Sequence, residues 1–340
     1  MSKLSCNFYS QDDLLNINRL DFEVINNITE KALLEFNAGN ILFPEKIVQI
    51  FDQETQDRIN VLPATLLKDK VCGVKWVSVF PKNPHMYGVQ NLSAVIVLSE
   101  IITGFPIAIM DGTLISNMRT ASVSAIAAKY LSRSDSKTLG FIGAGEQAKM
   151  HLLSLINVRH SIEIVKISSR TTESTKLFID QMSKYVPHIT FIDCGTDLKS
   201  AISDSDIIVT ATSAQAPLLK ADWIKKGAFY THVGGWEDEY DVVRKATKIV
   251  CDDWDMVKHR TQTLSRMYKE GLLNDNDVHS DLHLIVSKNA ESRTSKDDLI
   301  YFNSVGLSYV DISISNFFHC VLSEMNKGER LTLQNKDIFN

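Results

Sequence analysis

The sequence predicts an α/β protein with two domains, and three observations support this prediction. The chain has 340 residues, which is more than one hydrophobic core usually serves. From about residue 137 onward, short apolar runs alternate with helical patterns, as in βαβ units with a parallel sheet. Before that point, amphipathic helices are mixed with several strand-like runs. We therefore expect a parallel-sheet domain beside an α+β domain.

The first 115 or so residues contain the elements of the α+β domain. Apolar residues recur at helical intervals over residues 22–37, which predicts an amphipathic helix. Runs rich in Val and Ile, separated by polar or Pro/Gly turns, predict strands over residues 58–64, 71–79 and 93–98. A second helical pattern covers residues 115–131, where several alanines suit close packing.

The second part of the chain contains the elements of the parallel-sheet domain. A helix is predicted over residues 147–156. Short apolar runs predict strands over residues 139–142, 162–168, 189–192, 207–211, 228–233, 248–251 and 299–302. A long amphipathic pattern over residues 310–325 predicts a final helix, whose length allows it to fold back onto the first domain.

A glycine-rich turn follows the first strand of this second part. Gly143, Gly145 and Ala148 form the pattern G-x-G-x-x-A between a predicted strand and a predicted helix. The first glycine permits a tight turn, the second lets backbone approach a pyrophosphate, and the small third residue allows close packing. The sequence therefore predicts a Rossmann dinucleotide-binding domain.

The next strand ends without the acidic residue that usually accepts hydrogen bonds from the ribose of NAD. Ser169, Arg170 and Thr171 stand there instead. A guanidinium flanked by hydroxyls suits a 2′-phosphate, so NADP is slightly preferred over NAD. The alternative is that Arg170 is a solvated loop cation.

Composition excludes several classes of protein. The net charge is −5 and no Lys/Arg-rich run occurs, so we expect no nucleic-acid partner. No window approaches the roughly 18 apolar residues of a membrane span, and the first residues lack a signal-peptide core. The five cysteines are far apart and never form C-x-x-C, which favours free thiols, no zinc site and a cytoplasmic location.

Two cations of the first domain stand in unusual surroundings. Lys75 interrupts an otherwise apolar strand, where an ammonium is costly unless it is paired. Arg119 lies near the start of the helix that leads into the second domain. The carboxylate of an amino acid is one counter-ion for such a pair. The alternative is an internal salt bridge to an acid such as Asp111.

An ordered series of motifs runs from about residue 57 to residue 318. Its members are residues 74–76, 81–83, 103–108, 119–121, 143–148, 226–229, 250–253, 298–306 and 310–312. Together these segments resemble the ornithine cyclodeaminase/mu-crystallin family. Three segments, at residues 57–59, 115–121 and 250–254, are most similar to its siderophore-pathway branch. That branch comprises the N-(2-amino-2-carboxyethyl)-L-glutamate dehydrogenases, which release 2-oxoglutarate and 2,3-diaminopropionate.

The resemblance implies the domains and the partners. Residues 1–117 with 308–340 would form a substrate-binding and dimerisation domain completed by the C-terminal helix, and residues 118–307 the Rossmann domain. The implied partners are a small amino-acid substrate and a second copy of the chain, as a homodimer.

The resemblance also implies the roles of individual residues. Substrate would be bound by Lys46, Lys75, Arg119 and Gly306, with Lys75 also catalytic. The cofactor, NADP or NAD, would be bound by Asn91, Arg119, Gly143, Gly145, Glu146, Gln147, Ser169, Arg170, Thr171, Thr210, Thr212, Val233, Gly234 and Val305.

The identity of the catalytic acid separates the activities of the family. In the cyclodeaminases an Asp follows a Gly pair after the fifth strand, whereas here Trp236 follows Gly234 and Gly235. Glu237 or Asp238 is the displaced candidate, unless both belong to a solvated acidic loop. This departure favours oxidation of an N-substituted amino acid with imine hydrolysis. Cyclodeamination, imine or ketimine reduction, and mu-crystallin-like ligand binding without turnover are the alternatives.

Three histidines have weaker signals. His232 ends the fifth strand, where it could relay protons, but a hydrogen-bonded structural role is the preferred interpretation. His279 and His283 have the i, i+4 spacing of metal ligands on a helix. No third ligand accompanies them, so we expect no metal.

Overall fold

The structure is a computed structural model and describes residues 4–335. The chain divides into two compact units. The first consists of Met1–Arg119 with Leu307–Asn340, and the second of Thr120–Gly306. The outermost residues of the predicted first domain, 1–3 and 336–340, lie outside the described residues.

The N-terminal segment of the first unit contains strands and helices in a mixed order. They are β1 (Leu4–Tyr9), α1 (Gln11–Asn18), α2 (Phe22–Asn37), β2 (Ile41–Leu42), β3 (Ile47–Asp52), β4 (Asp57–Leu66), β5 (Val71–Val79), α3 (Asn83–Met86), β6 (Leu92–Glu100), β7 (Pro106–Asp111) and α4 (Thr113–Leu131). The last of these helices ends in the second unit.

Strands and helices alternate through most of the second unit. They are β8 (Thr138–Ile142), α5 (Glu146–Val158), β9 (Ile164–Ser168), α6 (Thr172–Met182), β10 (Thr190–Asp193), α7 (Leu198–Ile202), β11 (Ile207–Thr210), β12 (Gln215–Leu219), β13 (Phe229–His232), β14 (Trp236–Asp238), α8 (Tyr240–Lys245), β15 (Lys248–Cys251), α9 (Trp254–Val257), α10 (Thr263–Lys269), β16 (Ser280–Asp281), α11 (Leu282–Val286) and β17 (Ile300–Asn303). The chain then returns to the first unit as α12 (Ser308–Glu324) and β18 (Glu329–Gln334).

The first unit is built on an eight-stranded sheet with the order β18-β1-β7-β6-β5-β4-β2, and β3 also pairs with β4. All pairs are antiparallel except β1 with β7. Helix α12 packs against β4 and β5, and Phe36 of α2 stacks on Tyr309 of α12 with ring centroids 4.9 Å apart. One face of the sheet is therefore covered by helices, and its buried side chains form the core of this unit.

The second unit contains a parallel eight-stranded sheet with the order β10-β9-β8-β11-β13-β17-β15-β16. The chain order reverses beside β8, which is where doubly wound sheets bind their ligands. Strands β11, β13 and β17 are buried along their whole length, as expected for a sheet covered on both faces. Their carboxyl ends lie at one edge of the sheet, together with those of β8 and β9.

Most predicted elements are confirmed to within two or three residues. Helix α2 and strands β5 and β15 have the predicted ends, while β4 and β6 extend beyond theirs. Among the described residues, eight strands have no counterpart in the prediction, namely β1, β2, β3, β7, β12, β14, β16 and β18. Strands β3 and β18 consist mostly of exposed residues, so their apolar pattern is weak. Within residues 4–335, no helix is long and apolar enough to span a bilayer.

Candidate functional site

In the first unit, a buried ion cluster links strand β5 to helix α12. Lys75 lies in the middle of β5 and points to the buried face, as the alternating burial along the strand requires. Its Nζ lies 2.7 Å from Oδ2 of Asp311, in the first turn of α12. Nε of Arg119, on α4, lies 3.0 Å from Oδ1 of the same carboxylate. We call Lys75, Arg119 and Asp311 the Lys–Arg–Asp cluster.

Gly73 explains why α12 can lie so close to β5. A Cβ at this position would come within 2.6 Å of Cδ1 of Ile312 and 2.8 Å of Cδ2 of Leu98. Both atoms are the ends of side chains, so a larger residue at this position would require Ile312 and Leu98 to repack. The glycine thus suits the close packing of α12 on β5 beside the cluster.

The cluster has two cations and one carboxylate, so it keeps a net positive charge inside the protein. Lys75 and Asp311 are fully buried, and Arg119 is 9% exposed. Burial, followed by the charge of Arg119, lowers the pKa of Lys75 to about 8, although Asp311 acts in the opposite direction. Among the described residues, the side chain of Arg119 pairs only with Asp311, through Nε. Its two Nη groups are therefore available to an anionic ligand.

Asp311, and not Asp111, is the internal partner of the two cations, so that part of the alternative interpretation was wrong. Asp111 ends β7, and its carboxylate accepts hydrogen bonds from the backbone N–H groups of Thr113 at 3.1 Å and Leu114 at 2.9 Å. It therefore caps the start of α4. An internal salt bridge does form, but it neutralises only one of the two cations.

Two other predicted binding residues of the first unit are Lys46 and Asn91. Lys46 is partly buried in the loop before β3, and Asn91 is exposed just before β6. Among the described residues, the Asp311 carboxylate forms ion pairs with Lys75 and Arg119 and not with Lys46. The binding roles of Lys46 and Asn91 stay predictions.

Arg58 is a candidate that the sequence analysis did not single out. Leu62 pairs with Lys75 across β4 and β5, and Arg58, Asn60 and Leu62 share one face of β4, so Arg58 lies on the Lys75 face. Burial lowers the pKa of Arg58, and its Nη1 donates to the carbonyl of Gln56 at 2.8 Å. The Oδ1 of Asn60 is buried without a hydrogen-bond partner among the described residues. The pattern that identified Lys75, a cation within a predicted strand, also applies to Arg58.

In the second unit, the turn after β8 fits a pyrophosphate. Gly143 has φ +104°, and a Cβ there would lie 2.6 Å from the carbonyl of Ala211. Gly145 is the N-cap of α5, where a Cβ would meet nothing within 4 Å. The glycine leaves open space above the first N–H groups of α5, at the positive end of the helix dipole. Glu146 and Gln147 supply two of these N–H groups, so the residues present fit a dinucleotide.

The predicted ribose-binding residues follow β9. The backbone N–H of Ser169 donates to Gly195 at 2.9 Å, which fixes the turn. Arg170 is exposed, and Thr171 caps α6 by accepting a hydrogen bond from the N–H of Ser174 at 3.3 Å. The turn thus offers hydroxyl groups and a cation to a ligand, and no carboxylate.

Glu237 joins the loop after β13 to the end of β11. Its Oε1 accepts hydrogen bonds from the backbone N–H of Thr212 at 2.5 Å and from Oγ1 of Thr212 at 2.6 Å. Its Oε2 accepts from Oγ1 of Thr210 and from the N–H of Gly234, both at 2.8 Å. Glu237 is fully buried, so the solvated-loop interpretation is wrong for this residue. Its contacts bring together Thr210, Thr212 and Gly234, all predicted to bind cofactor.

Asp238 and His232 form a second buried group beside Glu237. Asp238 is fully buried, so it does not belong to a solvated loop either. Its Oδ1 accepts a hydrogen bond from Oγ1 of Thr263 at 2.5 Å. Burial raises the pKa of Asp238. Nε2 of His232 lies 2.7 Å from the carbonyl of Gly235, so this nitrogen carries the proton. Nδ1 lies 2.8 Å from the hydroxyl of Tyr301 and 3.4 Å from Oδ1 of Asp238. His232 therefore has the contacts of a structural histidine, while proton transfer by Glu237 or Asp238 stays a prediction.

The loop of Val305 and Gly306 is held by Asp252, which follows β15. Oδ2 of Asp252 accepts from the N–H groups of Val305 at 2.9 Å and Gly306 at 2.8 Å. The same oxygen accepts from Oγ of Ser304 at 2.9 Å. Three donors on one buried carboxylate oxygen fix this loop in the second unit.

The helical spacing assigned to His279 and His283 was wrong. His283 lies in α11, but His279 precedes β16 and its Nε2 contacts the carbonyl of Glu291 at 2.7 Å. Within residues 4–335, no group of three or more His, Cys, Asp or Glu side chains has a metal-binding arrangement.

Comparison with known proteins identifies the family. The family model described as "Ornithine cyclodeaminase/mu-crystallin family" matches residues 8–325. The chain belongs to this family. It is 30% identical over 334 residues to N-((2S)-2-amino-2-carboxyethyl)-L-glutamate dehydrogenase of Staphylococcus aureus, covering 94% of this chain and 99% of that protein. The predicted resemblance to the family and to this branch is thus confirmed.

Two solved structures of the family are similar over nearly the whole chain. One is the Δ1-pyrroline-2-carboxylate reductase of Thermococcus litoralis in complex with NADH and L-proline. It is 30% identical, with a TM-score of 0.89, and the match covers 95% of this chain and 99% of that one. The other is an archaeal alanine dehydrogenase dimer with bound NAD, 27% identical with a TM-score of 0.89, and the match covers 97% and 100% of the two chains. These likenesses confirm the predicted fold class and an enzyme of the dehydrogenase and reductase type.

Proposed function

We propose that the chain is an NAD(P)-dependent oxidoreductase that oxidises an N-substituted amino acid and hydrolyses the resulting imine. The proposed products are those of the siderophore-pathway branch, 2,3-diaminopropionate and 2-oxoglutarate. The first unit would bind the substrate and the second unit the dinucleotide. We further propose that the enzyme is cytoplasmic, in line with its free cysteines.

The observation that carries this proposal is the Lys–Arg–Asp cluster. Two cations face a single carboxylate in a buried place, and the remaining positive charge favours an anion. The carboxylate of an amino acid can bind side-on to the Nη groups of Arg119 while Lys75 donates to it. This contact would orient the substrate α-carbon.

The chemistry is a two-electron oxidation followed by hydrolysis. A bound nicotinamide dinucleotide would supply the acceptor for the hydride of the substrate α-carbon, and the substrate nitrogen would lose a proton to water as the imine forms. Water then adds to the imine carbon, and cleavage of the C–N bond gives a keto acid and a primary amine. As an ammonium, Lys75 is suited to give a proton to the amine nitrogen as the C–N bond breaks, and burial, which lowers its pKa to about 8, makes that proton easier to release.

Arg58 supports a substrate with a second carboxylate. It lies on the same face of the sheet as Lys75, and a partly buried guanidinium is a preferred partner of carboxylates. An N-(2-amino-2-carboxyethyl)-L-glutamate molecule has three carboxylates, so an additional cation on the same face of the sheet as Lys75 fits this substrate class.

Cyclodeamination has weaker support than oxidation. Trp236 occupies the position after the Gly pair, and the guanidinium of Arg266 lies 4.2 Å from the centre of its ring. The next carboxylate, Glu237, is occupied by four hydrogen-bond donors. Imine reduction is the second candidate, since the chain is 30% identical to a pyrroline-carboxylate reductase of the same fold.

The test is a screen of amino acids and N-carboxyalkyl amino acids for reduction of NAD or NADP at 340 nm. Purified chain should accumulate the reduced cofactor with an N-carboxyalkyl amino acid and should release a keto acid and an amine. Release of ammonia without net cofactor reduction would instead establish cyclodeamination. Oxidation of NADH or NADPH by cyclic imines alone would establish the reductase. Ligand binding without any turnover would support the non-enzymatic alternative.

We propose NADP as the preferred cofactor because Arg170 stands where NAD enzymes carry an acid. Arg170→Asp should lower the ratio of kcat/KM for NADP to kcat/KM for NAD by about tenfold or more, through loss of a charge-assisted hydrogen bond. Steady-state kinetics with both cofactors measures the ratio. Lys176→Asp, which makes the same charge change on an exposed position of α6, is the matched control. An unchanged ratio in Arg170→Asp would mean that Arg170 is only a loop cation.

We propose that the chain forms a homodimer through the uncovered face of the first unit's sheet. Ile47, Val61, Trp76 and Val95 pair in one row across β3, β4, β5 and β6. Trp76 is 48% exposed and Val95 is 44% exposed. Such a contiguous apolar face is typical of an interface, and the archaeal alanine dehydrogenase of the same fold is a dimer.

Trp76→Glu is expected to convert this dimer into a monomer, because it places a charge in the centre of the apolar face. Light scattering after size-exclusion chromatography gives the mass of the wild type and the variant. Tyr185→Glu, at an aromatic residue that is 59% exposed in the second unit, is the control and should remain dimeric. A monomeric wild type, or a dimeric Trp76→Glu, would contradict the proposal.

A further inference from the structure

Gln262 has an unusual position for a glutamine. It is the N-cap of α10, where Ser, Thr, Asp and Asn are preferred, and its side chain makes no capping hydrogen bond. The side chain is instead buried at 6% exposure. Its Nε2 donates to the carbonyl of Gly234 at 2.7 Å and to the carbonyl of Ser304 at 3.2 Å. One amide group therefore joins the loop after β13 to the loop after β17.

The hydrogen bonds fix the orientation of this amide. Both carbonyls are acceptors, so the NH₂ group of Gln262 must face them and its Oε1 must point the other way. Oε1 accepts from Nδ2 of Asn303, the last residue of β17, at 2.7 Å. Gln262 thus uses both donors and its acceptor, and methionine or glutamate cannot reproduce this set.

The segment of Ser304, Val305 and Gly306 is held from two sides. Asp252 binds its N–H groups from the end of β15, and Gln262 binds the carbonyl of Ser304 from the start of α10. Gly306 has φ +102°, a conformation that glycine adopts without strain. The loop is therefore set by contacts from other elements of the second unit together with the backbone conformation that Gly306 allows.

We infer that Gln262 is a positioning residue for the nicotinamide half of the dinucleotide. This inference rests on the proposed function, together with the cofactor contacts that the family resemblance implies for Val233 and Gly234 in one loop and Val305 in the other. The side chain of Gln262 bonds to both loops at once. The pyrophosphate turn at Gly143 and the ribose turn at Ser169 follow other strands, and among the described residues the side chain of Gln262 has no hydrogen bond to either turn.

Binding of two dinucleotide probes tests the inference. NADPH contains the nicotinamide ring, whereas 2′-phospho-ADP-ribose lacks it; NADH and ADP-ribose form the second pair. Isothermal titration calorimetry gives the Kd of each probe. Gln262→Met should weaken reduced-cofactor binding by about tenfold, because two buried carbonyls lose their donor, while binding of the ring-free probe changes by less than about twofold. Gln262→Glu should weaken binding of the reduced cofactor further, since a carboxylate would face two carbonyl oxygens.

The controls separate this role from general stability. Asp206→Asn changes a buried carboxylate just before β11, at the amino ends of the parallel strands, where Asp206 accepts from the N–H groups of residues 137 and 138. This variant should change neither the Kd of the reduced cofactor nor that of the ring-free probe. Equal weakening of both probes by the Gln262 variants, or no weakening of either, would overturn the inference. Failure of the wild type to bind any of the four probes would instead overturn the proposed function and the inference with it. Thermal melting of each variant shows whether it is folded.

Discussion

Lys75→Met is expected to lower kcat/KM by roughly 10²- to 10⁴-fold, the range typical of a lost acid–base group, without unfolding the protein. Methionine has a similar length and no charge, and it would leave Asp311 paired with Arg119 at 3.0 Å. The buried site would then be neutral and would lose its attraction for a carboxylate. Steady-state kinetics with the substrate found in the screen gives the loss, and chemical denaturation gives the free energy of unfolding.

A pH profile shows whether the charge of Lys75 is what matters. Burial lowers the pKa of Lys75 to about 8, so its ammonium is present below that pH and is lost as the pH rises through it. Arginine stays protonated throughout. The ratio of kcat/KM for the wild type to that for Lys75→Arg cancels the ionisation of the substrate. It should be constant below pH 8 and fall about tenfold per unit above it. A constant ratio up to pH 10, or wild-type rates in Lys75→Met, would remove Lys75 from the mechanism.

The sequence was sufficient to find both cations but not the acid between them. Lys75 and Arg119 are visible because a charge in an apolar segment is costly, and this argument needs no structure. Asp311 is 236 residues away from Lys75 along the chain. Only the return of α12 onto β5 brings the two together, and sequence proximity suggested Asp111 instead. The glycine turn at Gly143 was found because its pattern is local.

The buried acids of the second unit illustrate the same limit. Consecutive acidic residues at 237–239 are typical of a solvated loop, yet Glu237 is buried because Thr210, Thr212 and Gly234 supply its donors. Those donors come from the ends of two neighbouring strands, which a local pattern does not connect. Gln262 left no signal at all, since a glutamine before a short helix has no distinctive spacing. Contacts between loops depend on the order of the strands in the sheet, and this order cannot be predicted from any single segment of the sequence.

Asp311→Asn is expected to lower the free energy of unfolding by about 3–5 kcal/mol at pH 7, because it leaves two buried cations without their counter-ion. The amide can accept only one of the two hydrogen bonds that the carboxylate now accepts at 2.7 and 3.0 Å. Denaturation with urea gives the difference from the wild type. Asp206→Asn is the matched control, because Asp206 also lies between two cations, Lys225 and Arg133, but both are partly exposed. Asp206→Asn should lower the free energy of unfolding by less than Asp311→Asn does, since water screens the charges around Asp206.

The cost of Asp311→Asn should also depend on pH in a defined direction. Asp311 raises the pKa of Lys75, so its removal lowers that pKa further below about 8. At pH values between the pKa of Lys75 in the variant and its pKa in the wild type, the folded variant binds fewer protons than the folded wild type. The free energy of unfolding of the variant therefore rises with pH relative to that of the wild type. The deficit should therefore be smaller at pH 9 than at pH 7, and the fall in kcat/KM should move to lower pH. A deficit that is equal at both pH values would mean that Asp311 and Lys75 are not electrostatically coupled. A double-mutant cycle with Lys75→Met then measures the coupling directly, because each partner is removed with and without the other.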